Sequence, residues 1–361
     1  MNRLIVVICI AVILLPSCSN RKVLLLPTKE IEFNHVVLDT VHSVITEIEA
    51  IGQKNLYVHD SILFVDTYDK NAHLKLFSLN DYKPLANLCA QGRARNEFND
   101  PWSVNEQFVG KGENTGLFMY DNYSTIKVIN IAKSIEKGVT IVDSSMLAPV
   151  ICKRGNSLLI PSRNIWFNQY NVSYNDPRDG IFFPQRFTIT DGETETDLKI
   201  FSRLMTLPEG SNYPFFLYNC KMALKPDESK VVIAYGYMPY MFIIDVETRT
   251  GFALHEKGRV SFDDVYPDED RTDIDICYGD IRLTDDYIIA VCYDGKQNDY
   301  GKDKSKMPVV RVFDWEGNIL QAFTLDRTLN SMGYDERNKK LYGLDLRYEE
   351  IYEFDISKYI K

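Results

Sequence analysis

Residues 55–98 read NLYVHDSILFVDTYDKNAHLKLFSLNDYKPLANLCAQGRARNEF, and their spacing decides the fold. Leu56, Val58, Ile62, Phe64, Leu74, Leu76, Phe77 and Leu88 make short apolar runs, separated by Asp60-Ser61, Asp69-Lys70-Asn71 and Asn80-Asp81. Short apolar runs punctuated by Asp, Asn and Ser are the pattern of an antiparallel meander. One such sheet has two apolar faces and cannot cover both, so copies of it must pack on one another.

The copies follow along the chain. Residues 116–122 and 126–130 repeat the two central strands, and residues 131–138 read as a helical turn or two in the connection that follows. A looser copy holds residues 157–161 and 186–190, with a long segment rich in Asn, Tyr and Arg between them. Residues 222–246, 280–325 and 330–354 supply three more. Phe77, Val128, Thr188, Ile244, Phe313 and Phe354 mark the third strand of successive copies. Their spacing of about 40 to 70 residues is that of propeller blades carrying loop insertions. The expectation is an all-β chain, a six-bladed β-propeller of four-stranded antiparallel blades spanning residues 36–361. A strand near Val36, Val37 and Leu38 has no blade of its own and is expected to complete the sixth, which removes two exposed sheet edges. A β-sandwich is the alternative, and six repeats of one meander count against it.

The N-terminus reads separately. Met1-Asn2-Arg3 is a short basic start, and residues 4–15 are an apolar run of 12. Spanning a bilayer takes roughly 20 helical residues, so this run fits the apolar core of a secretory signal instead. Leu15-Pro16-Ser17-Cys18 resembles the bacterial lipobox, in which cleavage before the cysteine leaves a lipid-bearing N-terminus. The resemblance implies a signal peptide over residues 1–17, lipidation at Cys18, and a tether over residues 18–35. Two or more acyl chains give stable anchoring. Ser19-Asn20-Arg21-Lys22 carries no acidic cluster of the kind that resembles a surface-export signal, so an outer-membrane protein facing the periplasm is expected.

Composition narrows the function. Net charge is −10, and no basic cluster interleaved with aromatics occurs, which argues against nucleic acid as a partner. Beyond Cys18 stand Cys89, Cys152, Cys220, Cys277 and Cys292, widely spaced and without CxxC, so buried thiols are expected rather than zinc or a disulfide framework. No GxSxG, HExxH, GxGxxG or P-loop pattern is present, and the five histidines show no metal-ligand spacing. No cofactor is expected. Asp263, Asp264, Asp268, Glu269 and Asp270, followed by Asp273 and Asp275, could offer oxygens to Ca²⁺, but the run lacks the glycine of an EF-hand loop and reads better as a solvated connection.

Two stretches are candidates for recognition. Arg163, Asn164, Trp166, Tyr170 and Tyr174 begin the long segment between residues 162 and 184 and combine aromatic faces with hydrogen-bonding groups. The alternative is a hairpin that packs its aromatics on the propeller. Arg93, Arg95 and Glu97 either line the axial channel or belong to a joint between blades, with Phe98 plugging the core.

Residues 92–98 keep Gly92, Glu97 and Phe98 of a Gly-x-Gly-Pro-Gly-Glu-Phe pattern, with Ala94, Arg95 and Asn96 departing from it. Lys225-Pro226-Asp227-Glu228 stands where a Ser-Pro-Asp-Gly turn would lead into a second strand. With the lipobox and the six meanders, the chain resembles the TolB-like six-bladed β-propeller lipoproteins of Bacteroides and relatives. That resemblance implies a fold and a compartment, but no settled activity. The leading expectation is a non-enzymatic binding or scaffolding module that takes an envelope protein or small ligand on one propeller face. The rivals are a metal-dependent hydrolase or lactonase-like enzyme with its site in the axial channel, and a sensor of peptide or glycan fragments.

Overall fold

The computed structural model describes residues 23–26, 28–34, 37, 39–49, 51–122, 124–149, 155–171, 185–200, 219–258, 275–301 and 306–360. These residues form six small sheets, the blades of a six-bladed propeller. Four strands precede the first blade: β1 (Val23–Leu26), β2 (Lys29–Phe33), β3 (Thr40–Val41) and β4 (Val44–Ile45). Blade one is β5 (Gln53–His59), β6 (Ile62–Thr67), β7 (Leu74–Ser78) and β8 (Pro84–Leu88); blade two is β9 (Pro101–Val109), β10 (Gly116–Asp121), β11 (Thr125–Asn130) and β12 (Val142–Leu147). Blade three is β13 (Gly155–Ile160), β14 (Ile165–Asn171), β15 (Gln185–Asp191) and β16 (Thr194–Ile200); blade four is β17 (Cys220–Leu224), β18 (Lys230–Tyr235), β19 (Met241–Asp245) and β20 (Gly251–Glu256). Blade five is β21 (Asp275–Leu283), β22 (Ile288–Lys296), β23 (Val309–Phe313) and β24 (Ile319–Leu325), and blade six contributes β25 (Ser331–Asp335), β26 (Lys340–Asp345) and β27 (Glu350–Asp355). Each of the six third-strand anchors falls on the third strand of its blade. Helix α1 (Ile131–Lys137) follows β11, capped by the Asn130 side chain and ended by left-handed Gly138.

Blade faces explain the apolar runs. Along β18, Val231, Ile233 and Tyr235 pack toward blade three while Val232 and Ala234 pack toward blade five. Because side chains alternate across a strand, a central strand covered on both faces is apolar throughout. The core is accordingly a ring of six layers between neighbouring blades. Among the described residues, the layer between blades two and three has Phe118, Tyr120, Ile126 and Leu159 at its centre. Cys89, Cys277 and Cys292 are buried within these layers.

The ring closes through β4 rather than through residues 36–38. Val44 and Ile45 pair antiparallel with Glu353 and Tyr352 of β27, and Thr46 donates its N–H to the Ile351 carbonyl at 2.9 Å. Val36 and Leu38 lie outside the described residues. The segment read as a tether pairs from Val23 onward. β1, β2 and β3 add in parallel to the outer strands β16, β20 and β24, so the chain runs as a belt along blades three, four and five before closing blade six. This covers edges that would otherwise template aggregation. The outer strand of blade one starts instead with Pro84, which has no N–H to offer a neighbour.

The segment read as a long loop after residue 161 begins with a tight turn and then β14. Residues 172–184 and the acidic run at 263–273 lie outside the described residues. The polar stretch from residue 295 onward carries a short helix, α2 (Gln297–Gly301).

Candidate functional site: the axial cavity

Inner strand β9 departs from its regular pairing at the propeller axis. Ser103 pairs with Met119 and Phe108 pairs with Leu117, so residues 104–107 stand opposite Phe118 alone. Within this bulge Asn105 and Glu106 adopt left-handed backbone, at φ 55° and 48°. A non-glycine residue in that region costs about 1–2 kcal/mol. The neighbouring blade holds it there. Asn105 Nδ2 donates to the Ser157 carbonyl at 3.0 Å, and Gln107 accepts from the Leu159 N–H at 3.0 Å while donating to the Leu159 carbonyl. Two side-chain amides thus take over backbone groups of β13, and Glu106 is directed into the channel.

There it meets residues from three other blades. Arg282 Nη2 lies 2.7 Å from one Glu106 carboxylate oxygen and 3.1 Å from Asp280. Lys221 Nζ lies 3.6 Å from both Glu106 and Asp280, and Asn55 Nδ2 donates to Glu106 at 2.9 Å. Asp280 also accepts the N–H of Met332 at 2.8 Å, which ties blade five to blade six. Burial works against the Lys221 ammonium, but Asp280 and Glu106 outweigh it and its pKa is raised. Two carboxylates, both largely buried, are balanced by two cations, since burying either carboxylate unpaired would be costly.

Close to this cluster, Asp66 receives a hydrogen bond from Ser103. Burial raises its pKa strongly, the Ser103 hydroxyl pulls it back and the Glu106 charge pushes it up again, to about 7.

The cluster opens onto a cavity of about 760 Å³, lined among others by His59, Asn105, Glu106, Lys111, Lys225 and Arg282. It lies on the face where each inner strand turns back into its second strand. A second hollow of about 640 Å³ adjoins it, sharing His59, Asp60, Pro226 and Arg282. His59 stacks on Phe108 with ring centroids 3.9 Å apart, and burial lowers its pKa although Asp60 opposes this. Cavities of this size with a few convergent polar groups are the usual form of small-ligand sites.

The residues singled out from sequence lie elsewhere. Arg163 and Asn164 form the turn between β13 and β14; Arg163 pairs with Glu247 of blade four at 3.5 Å, and Asn164 is left-handed at φ 52°. Trp166 packs against the layer between blades two and three. Tyr170 pairs through its backbone with Gly155 and Arg186 in the sheet of blade three, and Tyr174 is outside the described residues.

Residues 92–98 join blade one to blade two, away from the axis. Phe98 is fully buried, Glu97 accepts the Ala94 N–H at 2.9 Å, and Arg95 donates to the carbonyls of Val142 and Asp143. Arg93 is exposed. A Cβ at Gly92 would lie 1.9 Å from the Glu97 carboxylate, so a side chain there would make Glu97 move from its present position.

The axial residues were missed because they come from four different blades, far apart along the chain. One signal was present: Asn105-Glu106-Gln107 interrupts the apolar pattern between Val104 and Phe108. Among the described residues, no group of three or more His, Cys, Asp or Glu is placed to hold a metal ion.

No protein-family model matches the chain, and no curated protein matches it in sequence. Solved structures are similar in fold. A member of the DUF4221 family from Bacteroides vulgatus superposes with a TM-score of 0.53 at 10% identity, over 88% of this chain and 98% of that one. A Bacteroides fragilis protein assigned to export by its name gives 0.46 at 10% identity, over 92% and 99%. Raptor from Chaetomium thermophilum gives 0.46 at 10% identity, over 88% of this chain and 29% of its own. At such identities the likeness concerns the fold alone.

Proposed function

We infer that this chain is a binding propeller of the bacterial cell envelope, held to the outer membrane through Cys18, facing the periplasm, and taking a small polar ligand in its axial cavity. The blade-two bulge carries the reading. Two adjacent left-handed residues are a cost specific to β9; inner strands β5 and β21 also depart from regular register, but without such a pair. Strain of this kind collects where a side chain must be aimed at a ligand or a switch. Here it aims Glu106 at Lys221 and Arg282 beside an open cavity.

The likeness to TolB-like lipoproteins agrees with this reading. Glu228, at the position of the family's turn glycine, is left-handed at φ 62°. The metal-dependent hydrolase is less well supported, because Arg282 and Lys221 occupy the space between the Glu106 and Asp280 carboxylates.

Native mass spectrometry tests the ligand. Full-length protein equilibrated with a deproteinised periplasmic extract is expected to carry a small-molecule adduct that Lys221→Met loses. No adduct on the wild type, or equal adducts on both, sinks the proposal. For the anchor, Cys18→Ala is expected to move the protein from the membrane to the soluble fraction; retention in the membrane would refute it.

A further inference from the structure

The hollow of about 640 Å³ beside the axial cavity has a charge of its own. Its wall includes Asp60 of blade one, Thr284 of blade five, and Tyr334, Asp335, Glu336 and Arg337 of blade six. Asp285 and Asp286, both exposed, follow Thr284 in the blade-five turn. They act on Glu336: burial raises its pKa, and the charges of Asp285 and Asp286 raise it further. Asp335 is taken up locally, accepting the backbone N–H of Asn338 at 3.1 Å and its side-chain amide at 2.7 Å.

The positive side is weaker. Of the two arginines on this wall, Arg282 is committed to Glu106 and Asp280, and Arg337 is exposed. Asp60, Asp285, Asp286 and Glu336 thus stand against a single exposed guanidinium. Carboxylates gathered around a concave wall concentrate cations there.

Tyr334 gives an independent sign of a ligand. It lines the hollow and is only 8% exposed, yet its hydroxyl has no hydrogen-bond partner among the described residues. A buried phenol usually finds one. Burial, then the charges of Glu336 and Asp335, push its pKa up, so it stays protonated and keeps its oxygen lone pairs for a donor brought from outside. His59, also on the wall, stacks on Phe108, and burial lowers its pKa although Asp60 opposes this. The imidazole is therefore neutral at pH 7 and does not repel a cation. Among the described residues these carboxylates do not converge as metal ligands, so their charge suits an organic cation better than a metal ion.

We propose that this hollow is a subsite for an organic cation, and that the ligand of the axial cavity carries an ammonium or guanidinium group lodged against Glu336, Asp60 and the Tyr334 hydroxyl. The inference rests on the reading of the axial cavity as a ligand site. The rest of the ligand would lie in the larger cavity, reached past His59 and Asp60, which the two spaces share.

Calorimetric titration of the full-length protein with cadaverine, 1,5-pentanediol and glutarate compares one five-carbon chain with positive, neutral and negative ends. Cadaverine is expected to bind and the other two are not. Glu336→Gln and Tyr334→Phe preserve the size of each side chain and should each weaken cadaverine about tenfold. Glu336 is exposed, so its variant tests the subsite without disturbing the core. No cadaverine binding, tighter binding of glutarate, or equal affinity of wild type and Glu336→Gln overturns the subsite. If the extract adduct lost by Lys221→Met is found alongside any of these results, the axial ligand site stands and the cation subsite alone falls; if the adduct is missing too, both fall.

Discussion

Replacing Asp66 with asparagine should make the propeller more stable at neutral pH, and by an amount that depends on pH. Asp66 is buried on β6, and its Oδ1 makes no hydrogen bond among the described residues. Its pKa is raised from 3.8 to about 7, first by burial and then by the nearby Glu106 charge, against the pull of Ser103. Between these two values the folded chain holds a proton that the unfolded chain has released. Stability therefore falls as pH rises through this window, and the whole penalty is in force once the folded carboxyl ionises. Three pH units at about 1.4 kcal/mol each give a ceiling of about 4 kcal/mol. The amide of the Asp66→Asn variant would keep an acceptor for the Ser103 hydroxyl without ever taking a charge. Urea unfolding of both proteins across the range should show the Asp66→Asn variant more stable by up to about 4 kcal/mol near pH 8, with the gap closing toward pH 4. A difference that does not change with pH would refute the claim that ionising Asp66 strains the channel.

Three further outcomes follow from the packing. Arg311 is buried between Asp294, at 2.9 and 3.1 Å, and Glu256 at 3.2 Å, so Arg311→Leu removes the guanidinium from the buried Glu256 and the half-buried Asp294 and should cost about 3–5 kcal/mol in denaturant melts. Phe98→Ala empties the blade-one to blade-two joint and should cost about 3–5 kcal/mol, whereas Arg93→Ala at the exposed end of the same segment should stay within about 0.5 kcal/mol. Removing residues 18–34 strips β1 and β2 yet keeps β4, and should give a folded but more aggregation-prone protein by circular dichroism and light scattering. Extending the deletion through Ile45 opens the ring and should abolish cooperative melting; equal behaviour of the two truncations would show that β4 is not the clasp.

The blades are legible in the amino-acid order alone. Residues such as Val231 to Tyr235 are buried on both sides of a sheet, and a strand with two covered faces must be apolar along its length wherever its neighbours lie. The turn chemistry is just as local: Asn130 caps α1, and Gly138 ends it. Residues 92–98 could be read as a joint because Phe98 and Gly92 are each suited to their positions by short-range contacts.

The clasp, the belt and the site emerge only in the assembled ring. Nothing local distinguishes Val44-Ile45 from residues 36–38 as the closing strand, because the choice is made by which residues reach β27 in antiparallel register after the belt has passed blades three to five. The axial cluster is more distant still. Asn55, Glu106, Lys221 and Arg282 are 51, 115 and 61 residues apart in order along the chain, and only closure of the ring brings them together. A propeller gathers its centre from the inner strands of several blades, so its fold is written in every repeat while its site is written in none of them.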